Sequence, residues 1–463
     1  MDSSSVIWVV LNQVVSKSLM ALKFLMAASF LGPKAMGVVG VLLVLYAIVE
    51  SLTEFGLIHA VIQSKKVPKK AELKSIWWAL FVRGLGVSVI IFLIGTLFPI
   101  TEYQEDFYLS ALILAAVAFL KSAASTNLYL AQRNRSFKKI FILGGVGGVF
   151  DLFVMLLFLF QGYGVVSVFA GLVVAEFIKV ILTYFIFSRD SEFLLTLMNP
   201  SFNVSKFANY GKWIWGSNCL NLLLNQSDKL VTNAMLGSTS LGLYQMGGRL
   251  AQLGVADVAI AFGQYLFPSF SRLNSDKERL TSLLSKSMAY MLVFSISSAL
   301  LVGVLAELVP IIVGEAWKES VNILRVLVVS MANGAMISVL VAYHRAVGHP
   351  KRVTVASLFQ LVVFVPSLVG LTYFYGVMGT AISTVLGTLT CLVVLYDFLK
   401  KDGLSIHLNL SQFFYAILAY LLLISISLMI ESVWVSSGLV VVGFLQVLFK
   451  LYRVEREAYE SCY

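Results

Sequence analysis

Apolar runs long enough to cross a bilayer recur along nearly the whole chain, separated by short polar or charged connections. They fall at about 8–30, 36–62, 76–98, 107–130, 140–160 and 163–187, then at about 213–236, 244–270, 287–313, 321–344, 353–375 and 377–399. Two more follow at about 412–430 and 433–449. Between the two sets, 188–212 alternates apolar with polar residues around Pro200, as a linker with an interfacial helix does. The pattern predicts an all-α integral membrane protein of about 14 transmembrane helices. Its expected parts are a six-helix lobe at 1–187, the cytoplasmic amphipathic linker at 188–212, a second six-helix lobe at 213–401, and two extra helices with a cytoplasmic tail at 402–463.

One run departs from plain apolarity. NCLNLLLNQSDKLVTNAML (218–236) carries Asn218, Asn221, Asn225, Lys229 and Thr232 at helical spacing, so all five share one helix face. A polar stripe against lipid tails forfeits its hydration, so this face is expected on a cavity or on other helices. Two readings are open: a substrate-facing stripe, or asparagines that bridge neighbouring helices.

Composition agrees with the membrane reading. Of 463 residues, 59% are hydrophobic and 13% charged, and no room remains for a large soluble domain. A net charge of +10 raises the question of nucleic acid, but the basic residues sit mainly in short connections, where membrane orientation accounts for them. Nucleic-acid binding is not expected. Lys65, Lys66, Lys69, Lys70 and Lys74 follow the second run; Arg133, Arg135, Lys138 and Lys139 the fourth; Arg272, Lys277, Arg279 and Lys286 the eighth. The rule continues with Arg345, Lys351 and Arg352, with Lys400 and Lys401, and with Lys450, Arg453 and Arg456. Odd-numbered exits hold little positive charge, and one, TEYQED (101–106), is acidic. Both termini are therefore expected in the cytoplasm. The first run lacks a basic leader and is expected to stay in the mature protein. Cys219, Cys391 and Cys462 outline no disulfide framework, and the four histidines lack metal-ligand spacing.

The two sets repeat each other. Leu31, Gly32 and Gly37 match Leu236, Gly237 and Gly242 at an offset of 205 residues, and Arg133 and Lys139 match Arg345 and Lys351 at 212. Tyr163-Gly164 matches Tyr375-Gly376 at that second offset. Six-helix repeats of the same orientation commonly enclose a central cavity.

Charges inside the runs suggest what such a cavity holds. Lys17, Lys23, Lys121 and Lys229 lie within apolar stretches, where a cation near the bilayer centre costs about 3 kcal/mol unless paired, hydrated or functional. Arg83, Lys179, Arg249 and Arg325 lie within two turns of a run's end, from which a long side chain can snorkel. Asn12, Ser16 and Lys23 share a face, flanked by Gln13 and Lys17. The buried acids are Glu50, Glu54, Asp151, Glu176, Asp228 and Asp257. Glu176 and Lys179, at i and i+3, predict a structural pair. Glu50 and Glu54, one turn apart, either share a proton or a cation, or pair with a buried lysine. Asp228 adjoins Lys229, but neighbours on a helix diverge and need not pair. Gly144, Gly145, Gly147 and Gly148 follow no strand, so they predict close helix packing, not a nucleotide loop.

The runs LGPKAMG (31–37), FGLIHAVIQSKK (55–66), SDKLVTNAMLGSTSLGLYQMGGRL (227–250), FPSFSRL (267–273) and YGVMGTAIS (375–383) resemble the polysaccharide exporters of the multidrug/oligosaccharidyl-lipid/polysaccharide superfamily, Wzx-like flippases nearest. These are helix-end and packing signatures that indicate family better than cargo. The resemblance implies two lobes in a V, alternating access, and a lipid-linked oligosaccharide carried outward across a bacterial cytoplasmic membrane for O-antigen, exopolysaccharide or capsule assembly. On that reading Lys17, Lys23, Lys121, Lys229 and Arg249 with Asn218, Asn221 and Asn225 form the substrate site, and Glu50, Glu54 and Asp228 are candidates for H+ or Na+ coupling. No cofactor is expected. The expected partners are the substrate, membrane lipids and other polysaccharide-assembly proteins. A cation-coupled drug exporter of the same superfamily usually carries an acid in its first span, and none lies between Val6 and Phe30. A membrane-embedded glycosyltransferase or polymerase would show large loops bearing catalytic carboxylates or arginines, and the longest linker, 188–212, has no such cluster.

Overall fold

The computed structural model describes residues 3–54, 70–97, 104–134, 136–187, 205–404 and 433–460, with positions 56, 58, 418, 421 and 422 besides. Their regular structure is helical. The chain divides into two compact units, Met1–Gln226 and Ser227–Tyr463.

In the first unit, α1 (Ser3–Thr53) is followed by α2 (Lys70–Leu97), α3 (Gln104–Ser122), α4 (Asn127–Arg133), α5 (Phe137–Phe160) and α6 (Val166–Phe187). α7 (Ser205–Ala251) carries the chain across the division between units. At 1.5 Å per residue a straight helix of the length of α1 would reach more than twice the roughly 30 Å of hydrocarbon. It is broken instead at Gly32, whose φ of 73° lies in the left-handed region that glycine enters without a Cβ penalty, and Pro33 restarts the helix. The expected run at 107–130 is not straight either. α3 ends at Ser122, and α4 leaves at 64° to it.

The second unit continues from α7 through a π-helical turn (Gln252–Ala256) into α8 (Asp257–Arg272), then α9 (Lys277–Leu305), α10 (Leu308–Val313), a short 3-10 turn, α11 (Lys318–Ala346), α12 (Pro350–Lys401) and α13 (Val433–Glu460). α7 breaks at Gly237 (φ 83°, ψ 177°), nearly the backbone of Gly32 (φ 73°, ψ 174°), so the repeated Leu-Gly marks the same helix break twice. Gly376 breaks α12 at φ 58°, and its sequence counterpart Gly164 stands at φ 52° in the turn between α5 and α6.

Seven helices among the described residues are long and apolar enough to cross a membrane, and eight when α3 and α4 count as one bent span. Two of the seven, in α1 and α12, contain a glycine break. α7, which carries the asparagine stripe, is not among them; its polar face lowers the apolar content expected of a span. The expected run at 412–430, nearly all of the 188–204 stretch, and Lys65, Lys66, Lys69 and Arg135 lie outside the described residues. Residues 205–212, assigned above to the linker, form the first turns of α7.

Packing in each unit exploits small residues where helices meet. In the first, α5 packs on α6 and α1, while α3 packs on α2 and α6. A Cβ at Gly144 would lie 3.3 Å from Asn12 Oδ1, and one at Gly148 would lie 3.0 Å from Leu19, so this glycine run admits the side chains of α1. In the second unit α11 is the central helix, packed by α8, α9 and α12, and α13 closes on α9 through Val293, Val440 and Val447.

Candidate functional site

The polar face of α1 turns onto α5 and α6. Lys23, deep in an apolar helix, donates from Nζ to Asp151 Oδ1 at 2.5 Å and to the Val168 carbonyl at 3.3 Å. Both charged side chains are largely buried, at 12% and 15% exposure, so each removes the other's cost of an unpaired charge in a dry setting. Gly171 makes room for the pair, since a Cβ there would lie 2.5 Å from Asp151 Oδ1. One layer away, Lys179 pairs with Glu176 at 2.7 Å, the expected i, i+3 bridge, and its stem runs across Gly147 where any side chain would collide. Lys17 is half-buried on the same helix as Lys23.

The second carboxylate candidate has the lysine partner anticipated as one of its two readings. Glu50 Oε1 accepts from Lys121 Nζ at 2.5 Å, and that ammonium also lies 5.9 Å from the centre of the Tyr46 ring. Lys121 is 53% exposed and Glu50 26%. Tyr46, under the Lys121 ammonium, and Glu176 are both near enough to act electrostatically on this pair. A band of alternating charges thus runs through the first unit, from Lys23 and Asp151 by Lys179 and Glu176 to Lys121 and Glu50. Glu54 is half-buried, within electrostatic reach of Tyr129. Arg83, expected to snorkel, instead turns onto the end of α1. Its guanidinium donates to the Glu50 carbonyl at 2.9 Å and to Thr53 Oγ1 at 3.2 Å, satisfying helix-end acceptors.

The asparagine stripe divides. Asn218 is half-buried, with its carbonyl 3.5 Å from the Ser51 hydroxyl, while Asn221 and Asn225 are exposed, and the Asn225 amide donates to the Asn221 carbonyl at 2.8 Å. Nearby, the Trp215 indole donates to the Leu52 carbonyl at 2.7 Å.

The second unit buries Asp228. Its Oδ2 accepts from the Tyr244 hydroxyl at 2.7 Å and its Oδ1 from the Lys229 backbone N–H at 2.9 Å. Lys229 Nζ stands 3.8 Å from Asp228 Oδ1, a long contact, as expected of neighbours that diverge on a helix. Thr232 donates to the Asp228 carbonyl and meets Thr380 at 3.2 Å, and Thr380 meets Thr372 at 2.9 Å. This network therefore ties the segments on either side of Gly237 to each other, and likewise those flanking Gly376. Arg249 is half-buried in the last turn of α7. Arg325, at a helix end as expected, pairs with Glu307 at 2.5 Å. The Asp257 side chain lies outside what the structure describes.

The sequence shows the charges, the Glu176–Lys179 pair and the possibility of a lysine for Glu50, but not the remaining long-range partners. Asp151, Tyr46 and Tyr244 were either left without a role or unnoticed, because Tyr244 looks like one more apolar-run aromatic until the break at Gly237 folds it back. Among the described residues no group of three His, Cys, Asp or Glu side chains is placed to hold a metal.

The fold is shared with solved transporters. The chain resembles the lipid II flippase MurJ in an inward closed conformation, with a TM-score of 0.74 at 13% identity, covering 98% of this chain and 100% of that one. It also resembles an inward-facing multidrug resistance MATE transporter, with a TM-score of 0.66 at 17% identity over 85% of this chain and 97% of that one. In sequence it is 23% identical over 406 residues to the lipopolysaccharide biosynthesis protein WzxC of Escherichia coli K12, covering 84% of this chain and 77% of the relative. It is likewise 23% identical over 350 residues to the succinoglycan biosynthesis transport protein ExoT of Rhizobium meliloti, covering 74% of this chain and 68% of the relative. These likenesses establish an all-helical membrane protein with a MATE- and MurJ-like fold. Residues 26–322, well over half the chain, match the polysaccharide biosynthesis protein family, and the chain belongs to it.

Proposed function

We propose that the protein is an alternating-access flippase that carries a lipid-pyrophosphate-linked oligosaccharide across the bacterial cytoplasmic membrane for cell-surface polysaccharide assembly. Relatives named for lipopolysaccharide and succinoglycan biosynthesis support this reading, as does the fold shared with a lipid II flippase. The observation that carries it is the first half of α1, which holds Lys17 and Lys23 and no acid between Val6 and Phe30. Such a helix favours a substrate bearing anionic charge over an organic cation.

In this proposal Lys17, Lys229 and Arg249 act on the pyrophosphate, Lys23 and Lys121 join them only on leaving Asp151 and Glu50, and the amides of Asn218, Asn221 and Asn225 act on glycan hydroxyls. Glu50, Glu54 and Asp228 are the candidates for H+ or Na+ coupling. Glu50 and Asp228 already accept from Lys121 and Tyr244, so a proton or cation there competes with a bond inside one unit and shifts its preferred arrangement. The membrane arrangement proposed is fourteen spans, as two six-helix lobes at 1–187 and 213–401 joined through 188–212, of which 205–212 is the start of α7, with two further helices at 402–463 and both termini cytoplasmic.

Flipping of lipid-linked oligosaccharide in vesicles containing the purified protein tests the function directly. Transport is expected with wild type and abolished by Lys17→Ala or Lys229→Ala at unchanged protein abundance. Normal transport by both variants would remove the anion site from the proposal, and efflux of organic cations without lipid flipping would replace the function. Cysteines at Gln104 and Ser238 should label from outside intact cells, and one at Lys277 should not.

A further inference from the structure

The connection between α11 and α12 gathers cations that the proposed transport reading does not use. α12 folds back at Gly376, and its two ends are joined where Arg352 makes a bidentate pair with Asp402, at 2.5 and 2.8 Å. Lys401 is paired as well, with Asp397 at 2.8 Å. Arg345 at the end of α11, Lys351 in the first turn of α12 and Lys400 in its last turn are all exposed and make no ion pair with any described residue. Among the described residues the carboxylates of Asp397 and Asp402 are thus already matched, which leaves an excess of three positive charges at this end of the α12 hairpin. Lys400 is held with its ammonium 5.1 Å from the Tyr396 ring centre.

Each of the two unpaired lysines of α12 stands at the head of an apolar stripe. Below Lys351, Val355, Leu358 and Val362 follow at helical spacing on the same face, all exposed, with Val362 68% so. Below Lys400, on the returning half, Tyr396, Val393 and Leu389 repeat the arrangement in reverse order, with Val393 58% exposed. Both stripes are longer than a hydrogen-bonded headgroup needs and suit hydrocarbon chains lying along the helix.

We infer that this end of the second unit is a docking surface for an anionic phospholipid of the surrounding bilayer, its phosphate at Arg345, Lys351 and Lys400 and its acyl chains along the two stripes of α12. The occupant follows from charge complementarity and from continuity between the cationic edge and the apolar faces, which together match an amphiphile. A soluble anion would leave the stripes unused. The inference does not depend on what the protein transports.

Native mass spectrometry of the purified full-length chain, titrated with phosphatidylglycerol or with phosphatidylcholine of the same chains, provides the test. A cation beside an anionic membrane surface contributes about fivefold in partitioning, so wild type should retain phosphatidylglycerol at least tenfold better than phosphatidylcholine. The R345Q/K351Q/K400Q variant should lose most of that preference. R272Q/K277Q/K286Q, which removes as much charge from exposed positions around the α8–α9 connection, should keep it. Equal loss in both variants would mean a diffuse charge effect and overturn the site, as would a wild type without preference. Displacement of phosphatidylglycerol by a stoichiometric amount of polyprenyl pyrophosphate would overturn it in favour of the transported lipid, and displacement by glycerol 3-phosphate would overturn the role of the stripes.

Discussion

Lys23 and Asp228 stand at equivalent places in the two units, each nine residues before the glycine at which its helix breaks, and they carry opposite charges. Each fastens its own helix within its own unit. Lys23 binds Asp151 on α5 and the Val168 carbonyl on α6, while Asp228 binds Tyr244 beyond the break in α7. Val168, which Lys23 meets, and Thr380, which meets Thr232 one turn past Asp228, also differ by the same 212 positions as the Tyr-Gly repeat. One backbone plan is thus secured by an ammonium in one copy and by a carboxylate in the other.

The Lys23–Asp151 pair is buried, so removing one member strands the other. Asp151→Leu is expected to lower stability by about 3–5 kcal/mol, read as a depressed melting temperature of the detergent-purified protein. Lys23→Met combined with Asp151→Leu should recover most of the loss, because no charge is then left without a partner. A single variant as stable as wild type would show that the lysine finds water on its own.

Tyr244→Phe removes the hydroxyl that Asp228 accepts from while keeping the ring. The carboxylate then loses a donor in a buried place, at a cost of about 1–3 kcal/mol. The loss should be local: hydrogen exchange at 238–251 should accelerate, while exchange in α5 and α6 should not change. Uniform acceleration across the chain would count against a clamp at the Gly237 break.

How far the sequence reaches is visible in these two pairs. The helices, and the breaks at Gly32 and Gly237, follow from apolar length and from turns at positive φ that only glycine enters without a Cβ penalty. The i, i+3 pair of Glu176 with Lys179 is legible because both residues lie on one helix. Lys23 with Asp151 and Lys121 with Glu50 are 128 and 71 residues apart, and nothing local in either stretch records which helices become neighbours. Arg83 misled for a related reason: near a span's end, a side chain that caps another helix has the same sequence signature as one that snorkels. The division of the asparagine stripe was equally hidden, since helical spacing places residues on one face but does not say where packing along that face stops.

Two glycines should answer alanine in opposite ways. At Gly379 a Cβ would run into the Leu371 carbonyl and come within 2.8 Å of the Thr372 nitrogen, and both are backbone atoms that cannot step aside. Gly379→Ala is expected to destabilise by at least about 1–3 kcal/mol. Gly86 faces open space inside α2, so Gly86→Ala should be neutral or stabilise by up to about 1 kcal/mol through helix propensity. Thermal unfolding of the two variants side by side gives the comparison, and a tolerated Gly379→Ala would mean that the α12 hairpin can open.

The pair of Arg352 with Asp402 predicts a defined response to acid. Asp402 caps the end of α12, and the two hydrogen bonds from the Arg352 guanidinium hold its carboxyl below the usual carboxylate range, against the opposing effect of partial burial. A carboxyl depressed in the folded state stabilises that state at every pH above its unfolded value of about 3.9, where both forms are ionised and the folded one is paired. The contribution shrinks as pH falls below that value and is gone once the folded carboxyl itself takes up a proton. Asp402→Asn should therefore lower the melting temperature at pH 7, and the gap to wild type should close as pH drops through about 4 and below. Because each partner is about a quarter exposed, screening is partial, and 1 M salt should narrow the neutral-pH gap without abolishing it. A gap that widened in acid would reverse the sign of the linkage, and would mean that Asp402 is stabilised in its protonated form by a neighbour other than Arg352.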